Sequence, residues 1–148
     1  MRAYVLAASA GFALAATPAL AQRTAAELAK QYQDDFNGKN AGELIRLMVA
    51  NGVAVTPDAG IQKGREAFRA DAERRLKAGW HDLNIQTTED QARESPSWAA
   101  GSWSAKVPGP NNAEMPIGGY WSALFAREVG ALRIHVLTFN LTPPPPQK

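Results

Sequence analysis

The chain has no cysteine in its 148 residues, only two histidines, and no large excess of either charge. Without Cys there is neither a disulfide framework nor a thiolate, so an apolar core must hold the fold unaided. His81 and His135 form no His-x-x-x-His or Glu-x-x-His spacing, and no metal site is expected. Lys and Arg number 16 against 14 Asp and Glu, a near-balance that argues against nucleic acid as a partner. A glycine-rich phosphate loop, a nucleophile elbow and a spaced Ser/His/Asp set are all missing, so no cofactor and no catalytic residue is assigned. The acids Asp34, Asp35, Asp58, Asp82, Glu89 and Asp90 are scattered, with no pair whose separation follows from spacing.

What is present begins with a leader. Arg2 is the only charge before a run of Ala, Val, Leu and Phe that ends in Ala19-Leu20-Ala21. That small-x-small ending predicts a signal peptide over 1–21, cleavage after Ala21, and a periplasmic or secreted chain free of the membrane afterwards. The run is short and alanine-rich for a membrane span, and no Cys stands beside it for a lipoprotein anchor. The alternative is an uncleaved N-terminal anchor. Cleavage leaves 148 − 21 = 127 residues, with 15 basic against 14 acidic side chains. This is the size of one domain with one core, expected over 22–142 and followed by a stiff Pro-rich tail over 143–148.

Local signals order the domain. Thr24-Ala25-Ala26-Glu27 reads as a capping box, and Leu28, Tyr32 and Phe36 follow at spacing four as the buried stripe of a helix that Asn37-Gly38 ends. Asn40 and Glu43 repeat the start signal for a shorter helix with Leu44, Leu47 and Met48, ended by Asn51-Gly52. Val53 to Thr56 is a short strand closed by Pro57. A turn at Asp58-Ala59-Gly60 leads to a third helix from about Gly64 to Ala78, with Phe68, Ala72 and Leu76 inward. Its Arg69, Arg74, Arg75 and Lys77, interleaved with Glu66, Asp71 and Glu73, read as a solvated face.

Four strands follow, about Trp80–Glu94, Ser97–Val107, Gly119–Glu128 and Leu132–Asn140. Trp98 and Trp103 fall on opposite faces because their separation is odd. Helices early and strands late imply an α+β fold, the N-terminal helices packed on one face of a curved sheet. Gly101, Gly118 and Gly119 supply the bending, and bending leaves a space that side chains fill only partly.

This order, with Pro57-x-x-Gly60 and Gly64-x-Glu66-Ala67-Phe68 between the first strand and the third helix, resembles the nuclear-transport-factor-2-like superfamily, and within it the SnoaL-like group. Gly118-x-Tyr120 and the closing Phe139-Asn140 belong to the same likeness, which covers roughly residues 24–142. It implies a cone-shaped curved antiparallel sheet wrapped on the helices, a mostly apolar pocket at the open end, and dimers packed through the sheet's outer face. It also implies where acids should stand. Ketosteroid isomerases of this scaffold carry a catalytic Asp just before the Pro that ends the first strand, and Thr56 is there instead. Many SnoaL-like relatives have an acid two places before the terminal Phe-Asn, where this chain has Leu137.

The residues placed at the pocket are Tyr32, Phe36, Thr56, Trp103, Trp121, His135 and Asn140. Tyr32 occupies the place of the isomerases' oxyanion-stabilising Tyr, and is either a donor into the pocket or a core Tyr. His135 shares the strand parity of Leu137 and Phe139. Asn140 either meets a ligand or caps the sheet edge through backbone bonds. Trp103 and Trp121 either line the cone or pack a dimer face. Three readings result: an exported binding protein for a small apolar molecule; an isomerase- or hydratase-type enzyme using Tyr32, His135 or Asn140; and a homodimeric interaction module built on Tyr120, Trp121 and the outer sheet face.

Overall fold

The computed structural model describes residues 23–91 and 96–142; the leader over 1–21 and the tail over 143–148 lie outside the described residues. Helix α1 (Ala25–Asn37) starts at the capping box. The Thr24 hydroxyl accepts from the Glu27 N–H at 3.1 Å, and the Glu27 carboxylate accepts from the Thr24 N–H at 2.8 Å. Its inward stripe buries Ala25, Leu28, Tyr32 and Phe36.

The next segment differs from its sequence reading. Helix α2 is a single turn (Ala41–Leu44), followed by a 3-10 turn over Ile45–Leu47, and strand β1 already begins at Met48 and runs to Thr56. Asn51-Gly52 is therefore no helix stop. It lies inside β1, where pairing with the last strand breaks register between Met48 and Val53, so a bulge carries the polar pair that composition assigns to a turn. A second short strand, β2 (Gly60–Lys63), pairs antiparallel with β1; the sequence reading has only a turn there. Helix α3 (Arg65–Lys77) follows as expected.

Strands β3 (His81–Asp90), β4 (Ser97–Pro108), β5 (Glu114–Glu128) and β6 (Ala131–Phe139) form the meander, with β5 starting earlier than its apolar alternation suggests. The six strands lie in the order β2-β1-β6-β5-β4-β3, antiparallel except for the parallel β1–β6 pair. Together with the helices this is the α+β arrangement expected.

Two features give the sheet its cone shape. First, α1 seals the free edge of β3. The Asn37 side chain donates to Leu83 O and accepts from Leu83 N, both at 2.8 Å, and Gln33 accepts from Ile85 N at 2.8 Å. Side chains of a helix thus stand in for a seventh strand and satisfy edge groups. Second, the strands approach each other where side chains are missing. A Cβ on Gly101 would lie 1.8 Å from Gln86 O, and one on Gly119 would lie 2.1 Å from Asn140 O. The concave face is also floored largely by small residues: Ala54, Ala123 and Ala99 of β1, β5 and β4 stand in one cross-strand row with Leu137 of β6.

The β5–β6 turn is strained at one position. Val129 and Gly130 both have positive φ, 51° and 78°, the requirement of a tight two-residue hairpin, which favours Asn-Gly. A β-branched residue is poorly suited to that region, and Val129 is fully solvent-exposed. Replacing Val129→Asn should raise unfolding stability by about 1 kcal/mol, whereas Gly101→Ala should lower it by about 1–3 kcal/mol through overpacking. Urea denaturation of the two variants checks both signs.

Candidate functional site

The concave face, α1 and α3 enclose a cavity of about 70 Å³. The buried stripe of α1 supplies Leu28, Tyr32 and Phe36; β4, β5 and β6 supply Trp103, Trp121 and Leu137; Arg75 of α3 and the following Trp80 complete one wall. Small Ala residues on the sheet leave the room, and large aromatics around them bound it.

Both indoles are oriented by backbone. Trp121 Nε1 donates to Gln86 O and Trp103 Nε1 to Asn140 O, each at 3.1 Å. These are the same two carbonyls that lean over Gly101 and Gly119. With their N–H groups satisfied by backbone, the two rings address the cavity with apolar faces alone. Trp103 stacks on Trp80 at 6.1 Å and meets Phe139 edge-on at 5.4 Å. Tyr32 stacks on Phe36 at 6.5 Å and tilts against Phe68 at 6.0 Å.

Two polar groups interrupt this lining. The Tyr32 hydroxyl has no hydrogen-bond partner among the described residues. Burial raises its pKa most; the Arg75 charge lowers it and Asp71 raises it, and the hydroxyl ends at about 12. At neutral pH it is a neutral donor. The second group is Arg75, only 2 % exposed. Its Nη2 reaches Asp58 Oδ1 and Asp71 Oδ2, both at 2.8 Å, and its Cζ sits 4.6 Å from the Phe139 ring centre and 5.3 Å from that of Trp80. Arg74 also binds Asp58 at 2.8 Å and contacts the other oxygen of Asp71.

The Asp58 carboxylate is not a proton acceptor in this setting. Burial by itself would raise its pKa, but hydrogen bonds from Arg75 and Arg74 outweigh that and hold it well below the usual carboxylate range. A carboxylate so paired is a weak base. Asp71 is likewise occupied at both oxygens by the two arginines. The site as built can exclude water and donate hydrogen bonds.

Four of the seven residues placed at the pocket by sequence line it: Tyr32, Phe36, Trp103 and Trp121. Three do not. Thr56 is buried, but at the β1–β2 hairpin, where its hydroxyl accepts from Gln62 Nε2 at 3.1 Å. His135 is exposed, because β5–β6 pairing runs Leu124↔Val136 and then Phe125↔Ile134. That bulge takes His135 out of the alternation, and Ile134 turns inward in its place. Asn140 is exposed and takes the edge-cap role: its Oδ1 accepts from Tyr120 N–H at 2.9 Å. Trp121 is also corrected as an outer-face residue, since it points inward while Tyr120 is 64 % exposed.

The Asp71–Arg75 pair escapes the sequence reading, which puts the α3 arginines in solvent. The signal was present: Arg75 lies seven residues after Phe68 and three after Ala72 on the buried stripe, with an acid four residues before it. Among the described residues no group of three or more metal-ligating side chains comes together.

The outer face of the sheet is a second candidate surface. Lys63, Val53, Val136, Leu124 and Trp98 form one cross-strand row, and Ile61, Val55, Thr138, Ser122 and Ala100 form the next. The second row continues to Glu89 of β3, so the charged residues of the two rows, Lys63 and Glu89, stand at the two sheet edges, and Ile61 and Leu124 are well exposed.

No protein-family model matches the sequence, and no curated protein matches it. Solved structures do. A ketosteroid isomerase-like protein from Erwinia carotovora atroseptica aligns with TM-score 0.65 at 14% identity, covering 79% of this chain and 92% of its own. SalBIII, an epoxide hydrolase/cyclase-like enzyme with a role in pyran ring formation in the polyether salinomycin, aligns with TM-score 0.65 at 15% identity over 79% and 89%. A conserved protein from Planctomyces limnophilus aligns with TM-score 0.66 at 20% identity over 80% and 98%. The chain has the nuclear-transport-factor-2-like α+β cone fold that its motifs resemble.

The buried hydroxyl supplies a pH test. With its folded pKa raised to about 12 from an ordinary value near 10, Tyr32 stabilises the fold fully below about pH 10. That contribution is lost as pH rises through about 12. Tyr32→Phe should lose less stability than the parent between pH 10 and 12, as followed by urea denaturation at each pH.

Proposed function

We propose that this chain is an exported, non-catalytic binding protein whose cone takes a small, largely apolar molecule, and that it acts as a homodimer. The observation that carries the binding reading is the cavity itself, aromatic and aliphatic on nearly every side, with a Tyr32 hydroxyl at its wall that has no partner among the described residues. Ligand sites have this character: apolar walls and a few placed polar groups. The cavity is small. Engineered apolar cavities of about 150 Å³ admit benzene, so the ligand is either smaller than benzene or enters with one end only. An isomerase- or hydratase-type reaction finds less support, because of Tyr32, His135 and Asn140 only Tyr32 reaches the space.

A ligand held at 100 times its Kd adds about 2.7 kcal/mol to stability. Screening small apolar metabolites by thermal shift should therefore find compounds that raise Tm by several degrees and perturb Trp fluorescence. A panel without any such compound, tested to its solubility limits, would count against the reading.

Export rests on the Arg2 to Ala21 pattern, and association on the outer rows, uncharged between their edge residues, since an exposed apolar sheet face of this kind marks an interface. Protein recovered from the periplasm should have Gln22 as its first residue by intact mass. It should sediment as a dimer, and Leu124→Lys should make it a monomer. A parent chain that is monomeric at high concentration, or that retains residues 1–21, contradicts the respective part.

A further inference from the structure

We propose that Arg75 selects the polar end of the ligand, admitting a neutral hydrogen-bond acceptor such as a ketone, ester or amide carbonyl and rejecting a carboxylate. The inference rests on the ligand-pocket reading above and adds the chemical class. Arg75 reaches the cavity wall while almost wholly buried. Nε and Nη2 are engaged by Asp58 and Asp71, and no partner is found for Nη1 among the described residues. Arg75 lines the cavity, and the two N–H groups of Nη1 remain to be used.

Charge then decides what uses them. A lone guanidinium would attract an anion. Here Asp58 and Asp71 offset Arg74 and Arg75, two charges against two, so the cluster is close to neutral. A carboxylate entering the cavity would lose its hydration among apolar walls and would meet two fixed carboxylates behind the guanidinium. A carbonyl oxygen faces neither cost and still receives a charge-assisted hydrogen bond. The rings of Phe139 and Trp80 against the guanidinium hold its plane, so Nη1 is presented in a fixed direction.

Four small probes of similar length test this: butanone, butanamide, butanoate and n-pentane. Each is titrated at pH 7 into the isotope-labelled protein, reading the indole N–H resonances of Trp103 and Trp121. The two carbonyl compounds should bind at least about tenfold more tightly than butanoate, with n-pentane between them. Arg75→Lys keeps a positive charge beside the two acids but has no Nη1, and should bring butanone and n-pentane to equal affinity. Butanoate binding as well as butanamide overturns the proposal, as does an unchanged ranking in a folded Arg75→Lys variant. If that variant does not fold, the ranking in the parent protein decides alone. Binding of n-pentane as tightly as butanone to the parent removes the role of Arg75 and leaves the pocket reading standing. No binding of any probe, n-pentane included, removes both.

Discussion

Two backbone carbonyls, of Gln86 and Asn140, hold the interior open. Each leans into the space where a glycine lacks a side chain, and each receives an indole N–H, from Trp121 and Trp103. Were either glycine to carry a Cβ, its carbonyl would be displaced and the Trp ring with it. Glycine placement, strand approach, ring orientation and the apolar character of the cavity are thus one constraint seen at four levels. The α1 side chains that bond the β3 edge complete it, since they hold the helix against that strand.

Arg75 joins the rest of the molecule to this frame. Burying a guanidinium costs several kcal/mol unless good partners surround it. Those partners come from separate parts of the chain: Asp58 from the β1–β2 turn, Asp71 from one turn earlier in α3, and aromatic rings from Trp80 and β6. The polar network therefore fixes how α3 sits against the sheet. It also places donors on the cavity wall while both its carboxylates are engaged by Arg74 and Arg75. In this chain Asp58 and Asp71 serve two arginines.

What sequence makes legible here is local. The Thr24 capping box, the α1 stripe, α3, the Trp98/Trp103 parity and the order of the meander all follow from spacing within a few residues, and they suffice to define the fold. The misplacements arise where pairing between distant strands overrides local pattern. Met48 to Gly52 looks helical with a stop, yet β6 takes it as a bulged strand. His135 has the right parity for the pocket, and a register shift against β5 removes it. Thr56 and Asn140 sit beside recognisable motifs but spend their oxygens on Gln62 and on backbone. Arg75 was hidden for a different reason: charge suggests solvent, and only the tertiary arrival of Asp58 makes its burial tolerable.

On the function proposed above, the space between α1 and the concave face is an apolar binding cavity rather than a packing imperfection. A crystal of the protein pressurised with xenon tests this most directly, because xenon enters dry apolar cavities and reports its own position. A well-occupied xenon site bounded by Tyr32, Trp103 and Leu137 is expected, with the surrounding side chains unmoved. A cone found empty under xenon, its aromatic rings closed onto one another, would contradict it.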